Sequence, residues 1–269
     1  MARRRKRKIR PQIKLLLVII LFFVMRACIR SMDQPWSGTQ EPVDTCPYTY
    51  ERFTNTDGIL RYEDDTYTSE YGIDISYAQG AIDWETVKNT GVQFAMIRVG
   101  YRGYETGLLH EDDQFRNNML GAYRARIRTG AYFYTSAISV EEAVEEAEFV
   151  IERLNGYSME GPVALDMEQV GPTDRDLYLG KEERTIIAAA FLKTIRNAGY
   201  IPVVYASTSW YDTEINMDAL SGLASFWVAD YSDKRVPLNG RFTMWQYSSE
   251  GWVDGITGPV DQNILMIKK

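Results

Sequence analysis

The chain has 269 residues, 45% hydrophobic and 13% aromatic, enough apolar material for one large domain or two small ones. Its net charge of −7 hides a split: ten of the 30 Lys/Arg lie in residues 1–30, where no acid occurs, so the rest carries 37 acids against 20 bases. An acidic body argues against nucleic acid as a partner, and a single histidine beside two cysteines excludes a His-rich zinc site.

The basic run Arg3–Lys8 leads into the apolar run Leu15–Met25. That layout is a signal anchor or a signal peptide. The apolar run is shorter than the ~20 residues that span a bilayer, and no A-x-A cleavage site follows. Lys14 and Arg26 can snorkel and lengthen the span, so an uncleaved anchor is the favoured reading, with a cleaved signal as the alternative. The positive-inside rule leaves the head in the cytoplasm and the body outside. Residues 31–69, rich in Asp, Glu, Thr and Pro without a sustained period, read as a polar stalk. The domain organisation is then 1–30 head and membrane segment, 31–69 extracytoplasmic stalk, and 70–269 catalytic domain. Cys28 and Cys46 lie outside the latter, and a bridge between them would staple no core. His110, beside Glu111-Asp112-Asp113, reads as an exposed loop residue. A Ser-His-Asp or Cys-His device would need it, so the chemistry falls to carboxylates.

From Tyr71 strands and helices alternate. Tyr71–Ile75 is a strand; Asp83–Asn89 starts a helix; Val92–Val99 is a buried strand; Asp112–Ile127 is a helix; Gly130–Tyr134 is a third strand. Ser139 and Glu142 predict a capping box ahead of a helix whose apolar residues, Val140 to Leu154, recur at helical spacing. Pro162–Glu168 is the fourth strand, and Lys181–Ala198 a helix closed by Gly199. Val203–Ala206, Phe226–Asp230, Phe242–Tyr247 and Asp261–Ile267 supply four more strands. Eight strands, the first ones separated by helices, predict an irregular eight-stranded parallel (β/α) TIM-like barrel, with thinner helices in its second half.

The stretch Pro162-Val163-Ala164-Leu165-Asp166-Met167-Glu168 carries the clearest chemistry. Side chains alternate along a strand, so Asp166 and Glu168 face one way and Met167 the other. A strand end spilling into solvent is the bland explanation of a lone D-x-E. Its setting speaks against that. Asp74, Arg98, Asp166, Glu168 and Asp230 all fall at or near C-terminal strand ends, where such barrels place function. Tyr101, Tyr132, Tyr134, Tyr205, Trp227, Trp245 and Tyr247 fall there too. Carboxylates on a floor with aromatic walls suit a sugar, because rings stack on the apolar face of a pyranose.

In register, the chain contains Gly72-Ile73-Asp74-Ile75-Ser76, Phe94-Ala95-Met96-Ile97-Arg98, Gly130-Ala131-Tyr132-Phe133-Tyr134, Leu165-Asp166-Met167-Glu168, Ala198-Gly199-Tyr200, Trp227-Val228-Ala229, Trp245-Gln246-Tyr247-Ser248-Ser249 and Val260-Asp261-Gln262-Asn263. Over about residues 70–267 it resembles the glycoside hydrolase family 25 muramidases, the N-acetylmuramidase type of lysozyme. The resemblance implies an α/β barrel with a long groove that cleaves the β-1,4 bond between N-acetylmuramic acid and N-acetylglucosamine in peptidoglycan. It needs no metal and no organic cofactor. It puts Glu168 in the general-acid place and Asp166 in the place that supports developing positive charge, directly or through the substrate's 2-acetamido group. Asp74 and Asp261 line the same site. Arg98, Tyr132, Tyr134, Tyr205, Trp227, Asp230, Trp245 and Gln246 are the expected substrate contacts. Asp230 departs from the Gln or Arg usual after Trp-Val-Ala, which adds a negative charge. Two rivals stay open: a non-catalytic glycan-binding module on the same fold, and a glycosidase for another N-acetylated polymer such as chitin. The intact acid pair speaks against the first, and the unfilled D-x-x-D-x-D-x-E pattern of family-18 chitinases against the second.

Overall fold

The computed structural model describes residues 46–232 and 235–269. The expected membrane segment over 1–30 lies outside them, and so does the first part of the expected stalk. Among the described residues no helix is long and apolar enough to cross a membrane.

The strands are β1 (Phe53–Thr56), β2 (Ile59–Tyr62), β3 (Tyr67–Ile75), β4 (Phe94–Arg102), β5 (Leu109–Glu111), β6 (Arg128–Tyr134), β7 (Val163–Asp166), β8 (Pro202–Ser207), β9 (Ser225–Ala229), β10 (Met244–Gly251) and β11 (Val260–Lys268). The helices are α1 (Trp84–Asn89), α2 (Phe115–Arg124), α3 (Val140–Leu154), α4 (Lys181–Asn197), α5 (Thr208–Thr213) and α6 (Met217–Leu220). Eight strands close on themselves in the order β3, β4, β6, β7, β8, β9, β10, β11, and β11 pairs back onto β3. β5 adds a short antiparallel edge on β4. It carries His110, which is therefore in a strand and exposed rather than in a loop.

The expectation of an all-parallel barrel is corrected at its last strand. β3 through β10 run parallel, but β11 is antiparallel to both β10 and β3. Residues 252–259 between β10 and β11 fall short of the dozen or so residues that a parallel crossover needs. The reversal follows from that short connection.

Period-two alternation sorts each strand between two apolar regions. Phe94 and Met96 of β4, Tyr132 of β6, Ala164 of β7, Val203 of β8, Trp227 of β9 and Met244 of β10 fill the barrel interior. Their chain neighbours, among them Ala95, Ile97, Ala131, Phe133, Val163, Leu165, Val204 and Val228, face the helices. There Phe115 and Met119 of α2, Ala143, Ala147, Val150 and Leu154 of α3, and Ile187, Phe191 and Ile195 of α4 cover them.

At the start of α3 the Ser139 hydroxyl accepts from the Glu142 amide at 3.3 Å, as a cap should. The Glu142 carboxylate reaches the Ile138 amide and Arg175 instead of closing the expected box onto Ser139.

The described part of the expected stalk is folded. β1 and β2 form an antiparallel hairpin, and β3 begins at Tyr67 rather than Tyr71. Tyr48 and Tyr62 are buried at 7% and 2% exposure. Tyr48 lies 5.1 Å from Phe242 ring to ring, and Phe53 lies 5.5 Å from Trp245. The Tyr48 hydroxyl donates to the Phe242 carbonyl at 3.1 Å. Burying each such ring contributes roughly 1.5–3 kcal/mol, so the folded unit extends at least from Cys46.

Candidate active site

At the C-terminal end of the parallel strands a cleft of about 530 Å³ opens. Asp74, Arg98, Tyr132, Tyr134, Asp166, Glu168, Tyr205, Trp227, Gln246 and Asp261, all expected from the sequence, line it. Alternation puts them there: Arg98 is two residues past Met96, Asp166 two past Ala164, Tyr205 two past Val203, and Gln246 two past Met244. Met167 turns into the outer core at 4% exposure, so Asp166 and Glu168 share the cleft face as expected.

Two expected contacts are corrected. Trp245 is buried at 4% and faces the hairpin, packing on Phe53 and Phe242 with its indole N–H donating to the Asp230 carbonyl at 2.7 Å. It is the odd member beside the inward-facing Met244 and Gln246. Asp230 does not line the cleft. Its carboxylate accepts from the Thr208 hydroxyl at 2.9 Å and from the Ser232 amide and hydroxyl at 2.9 and 2.6 Å, which pins the loop after β9.

The structure adds Tyr77, Tyr101, Tyr104, Val170 and Tyr231 to the cleft lining. Except for Tyr101, already grouped at the strand ends, these stand on loops or, for Tyr77, on the single 3-10 turn after β3, none of which carries a periodic signal. Asn263, two residues past Asp261 on the same strand face, was findable by alternation. It is fully buried, accepts from the Trp227 indole at 2.8 Å and donates to Asp74 at 2.7 Å. Gln246 donates to the same Asp74 oxygen at 2.9 Å and accepts from the hydroxyls of Tyr205 and Tyr231 at 2.8 and 2.7 Å. Indole N–H and phenol O–H fix which amide atom each partner meets. Trp227, 1% exposed and in edge contact with Tyr205 and Tyr132, braces the floor more than it offers a stacking face.

Every carboxyl of the floor holds its proton more tightly than in water. Burial pushes Asp74 up to about 6, against hydrogen bonds from Asn263, Gln246 and Asp261 that favour its charge. Burial, and then the neighbouring Asp74 charge, push Asp261 up to about 8. The two stand directly opposite each other in the antiparallel β3–β11 register. Asp74, with two amide donors, is the anion, and Asp261 is the proton donor to it. Burial, then the charges of Glu168 and Asp74, raise Asp166, and Arg98 opposes them. Glu168 is raised by the desolvation of its carboxyl among protein atoms and by Asp74, although the residue as a whole remains open to solvent. One oxygen of Asp166, Oδ1, is buried without a hydrogen-bond partner. Such a floor can hold one carboxyl protonated to donate to a leaving oxygen and keep another as an acceptor beside the reacting carbon.

The profile of Glycosyl hydrolases family 25 matches residues 73–256, which takes in Asp74, Asp166 and Glu168 and ends ahead of β11, the strand that carries Asp261. The chain belongs to glycosyl hydrolase family 25. It is 31% identical over 205 residues to Lysozyme M1 of Streptomyces globisporus, covering 71% of this chain and 66% of that protein. It is 28% identical over 192 residues to the autolytic lysozyme of Clostridium acetobutylicum, with 71% and 54% covered. The chain thus spans about half to two thirds of the length of these relatives. A solved bacterial lysozyme from Streptomyces coelicolor superposes with a TM-score of 0.60 at 28% identity, covering 72% of this chain and 90% of that one.

Proposed function

We propose that this family-25 chain is a peptidoglycan hydrolase that cleaves the β-1,4 bond between N-acetylmuramic acid and N-acetylglucosamine with net retention. The observation that carries the reading is the Asp166–Glu168 pair on the cleft floor, with one Asp166 oxygen free of any partner. Protonated Glu168 donates to the glycosidic oxygen as the bond to C1 breaks. Asp166 accepts the 2-acetamido N–H with its free oxygen, turning the acetamido carbonyl oxygen toward C1. That oxygen forms the new bond to C1 as the leaving group departs. Water then attacks C1 from the other face, giving its proton to Glu168, and the acetamido group is released. Two inversions leave the anomeric configuration as it began. Ionised Asp74, with Asp261 protonated beside it, raises the proton affinity of Glu168.

The test is digestion of peptidoglycan by the full chain. New reducing ends are expected on N-acetylmuramic acid; ends on N-acetylglucosamine would mean a different bond. Proton NMR of the first product from a defined muropeptide should show the β-anomer, and an α-anomer appearing first would mean direct attack by water.

The basic head and apolar run support a second element of the proposal. Residues 1–30 hold the catalytic domain at the outer face of the cytoplasmic membrane, uncleaved. Protease added to wall-stripped cells should degrade the domain. A protected domain would refute the orientation, and a domain released into the medium with a new N-terminus near Ala27 would refute the anchor.

A further inference from the structure

Among the described residues Arg98 is the only cation lining the cleft. Its guanidinium lies 5.0 Å from the Tyr77 ring centroid and 5.5 Å from that of Tyr101. Tyr101 in turn stacks on His110 at 5.0 Å and 19°. Asp112, its carboxyl wholly buried, sets this group in place. It takes Arg98 Nε at 2.8 Å, the Tyr77 amide at 3.0 Å and the Gln114 amide at 2.9 Å. Gly100 lets β5 come close enough to bring His110 onto Tyr101, since a Cβ there would meet the His110 carbonyl oxygen at 2.1 Å. With Nε committed to Asp112, Arg98 Nη2 is buried and has no hydrogen-bond partner. A buried, charged donor left open is costly unless something completes it. A planar guanidinium between two rings is shaped for a carboxyl-derived group.

Apart from the 2-acetamido carbonyl that both sugars share, N-acetylglucosamine offers no such group. Muramic acid does, in its 3-O-lactyl arm, which ends in a carboxylate or, when a stem peptide is attached, in an amide carbonyl. We infer that the Tyr77–Arg98–Tyr101 stack is the subsite that receives the lactyl carboxyl group of muramic acid and so selects muramic over plain N-acetylglucosamine chains. This rests on the muramidase reading above. The rings cover the apolar methyl-bearing arm while Nη2 donates to its oxygen. Four carboxyls line the same cleft as the arm's negative charge, Asp74, Asp166, Glu168 and Asp261, and Asp112, buried behind Arg98, is already paired with it.

The experiment compares two substrates on the full chain: stem-free peptidoglycan glycan strands, and the same strands with the lactyl carboxyl reduced to an alcohol. The wild type is expected to lose about ten- to a hundredfold in kcat/KM on the reduced strands, mostly through KM, the range of a charge-assisted hydrogen bond. Arg98→Gln should already be lowered on the native strands and lose no more on the reduced ones. Equal cleavage of both substrates by the wild type overturns the inference without need of any variant. A variant that loses as much as the wild type on reduction overturns it too, because the carboxyl is then read elsewhere. A variant whose only change is a shifted pH profile would mean that Arg98 acts through Asp166. Failure of the wild type on both substrates would instead strike the muramidase reading.

Discussion

Asp261→Asn tests the electrostatics of the floor most directly. Asp261 is pushed from the ordinary aspartate value to about 8 by burial and by Asp74 opposite it. Asparagine keeps a donor in the same place but cannot ionise. The folded protein holds the Asp261 proton more tightly than the unfolded chain, so this contribution is fully present below about pH 4. It shrinks as pH rises and is gone above the folded value. A shift of about four units corresponds to a ceiling of ~6 kcal/mol at 1.36 kcal/mol per unit. The cleft is hydrated and Asp74 shares the titration, so about half of that is the realistic figure. Urea unfolding at pH 4.5, 6.5 and 8.5 should therefore show the variant gaining ~3 kcal/mol on the wild type across the series. Parallel stability curves would refute the reasoning, since Asp261 would then be ionised throughout and Asp74 would carry the shared proton.

Glu168→Gln is expected to abolish turnover of peptidoglycan. Asp166→Asn should lower it by about 10²- to 10⁴-fold while pelleting with insoluble wall as well as the wild type does, and loss of pelleting would assign Asp166 to binding. Arg102→Met removes the partner that meets the fully buried Glu146 at 2.7 Å, leaving it only the Thr135 hydroxyl. Breaking such a pair costs about 3–5 kcal/mol. Burial pushes Glu146 up to about 7 even in the wild type, so the variant's deficit should be smaller at pH 5 than at pH 8. A deficit independent of pH would mean that Glu146 never takes a proton.

Much of the barrel was legible because each element carries its own period. The apolar residues of α3 recur every three to four positions and β4 opens on the unbroken apolar run Phe94–Ile97, and these need no distant partner to be read. Strand direction is another matter. Alternation looks the same read either way, and only the length of the 252–259 connection hints that β11 runs backward. The hairpin over Phe53–Tyr62 was hidden for a different reason. Its Tyr48, Phe53 and Tyr62 are diluted by Asp, Asn and Thr, and they become a core only against Phe242 and Trp245, far along the chain. Within the site the four acids were legible because sequence motifs carry them. Trp245 departs from expectation because nearness to a strand end does not set which face a side chain takes, and Gln246 beside it occupies the inner one. Asp230 was misplaced because it stands one residue beyond β9, where the loop and not the pleat sets its direction. Tyr104 and Tyr231 reach the cleft from loops, and Tyr77 from a short 3-10 turn, that only the folded chain positions.

The reversed last strand has a consequence for the chemistry. In a parallel barrel the residues at the catalytic end all come from the C-terminal ends of strands. β11 enters that end with its N-terminal residues, so Asp261 and Asn263 arrive beside Asp74 from the opposite chain direction. An antiparallel pair sets residues directly opposite each other on one face. This register makes Asp74 and Asp261 a facing pair able to share a proton, while Asn263 donates its amide to the same Asp74 oxygen that Gln246 holds from β10. Asp74 thus meets partners from both strands beyond it, and their hydrogen bonds favour its charge against the burial that opposes it. Negative charge there raises the proton affinity of Glu168, the carboxyl we propose as the general acid. The strand reversal that sequence periodicity could not reveal is therefore what gives the proposed general acid its electrostatic setting.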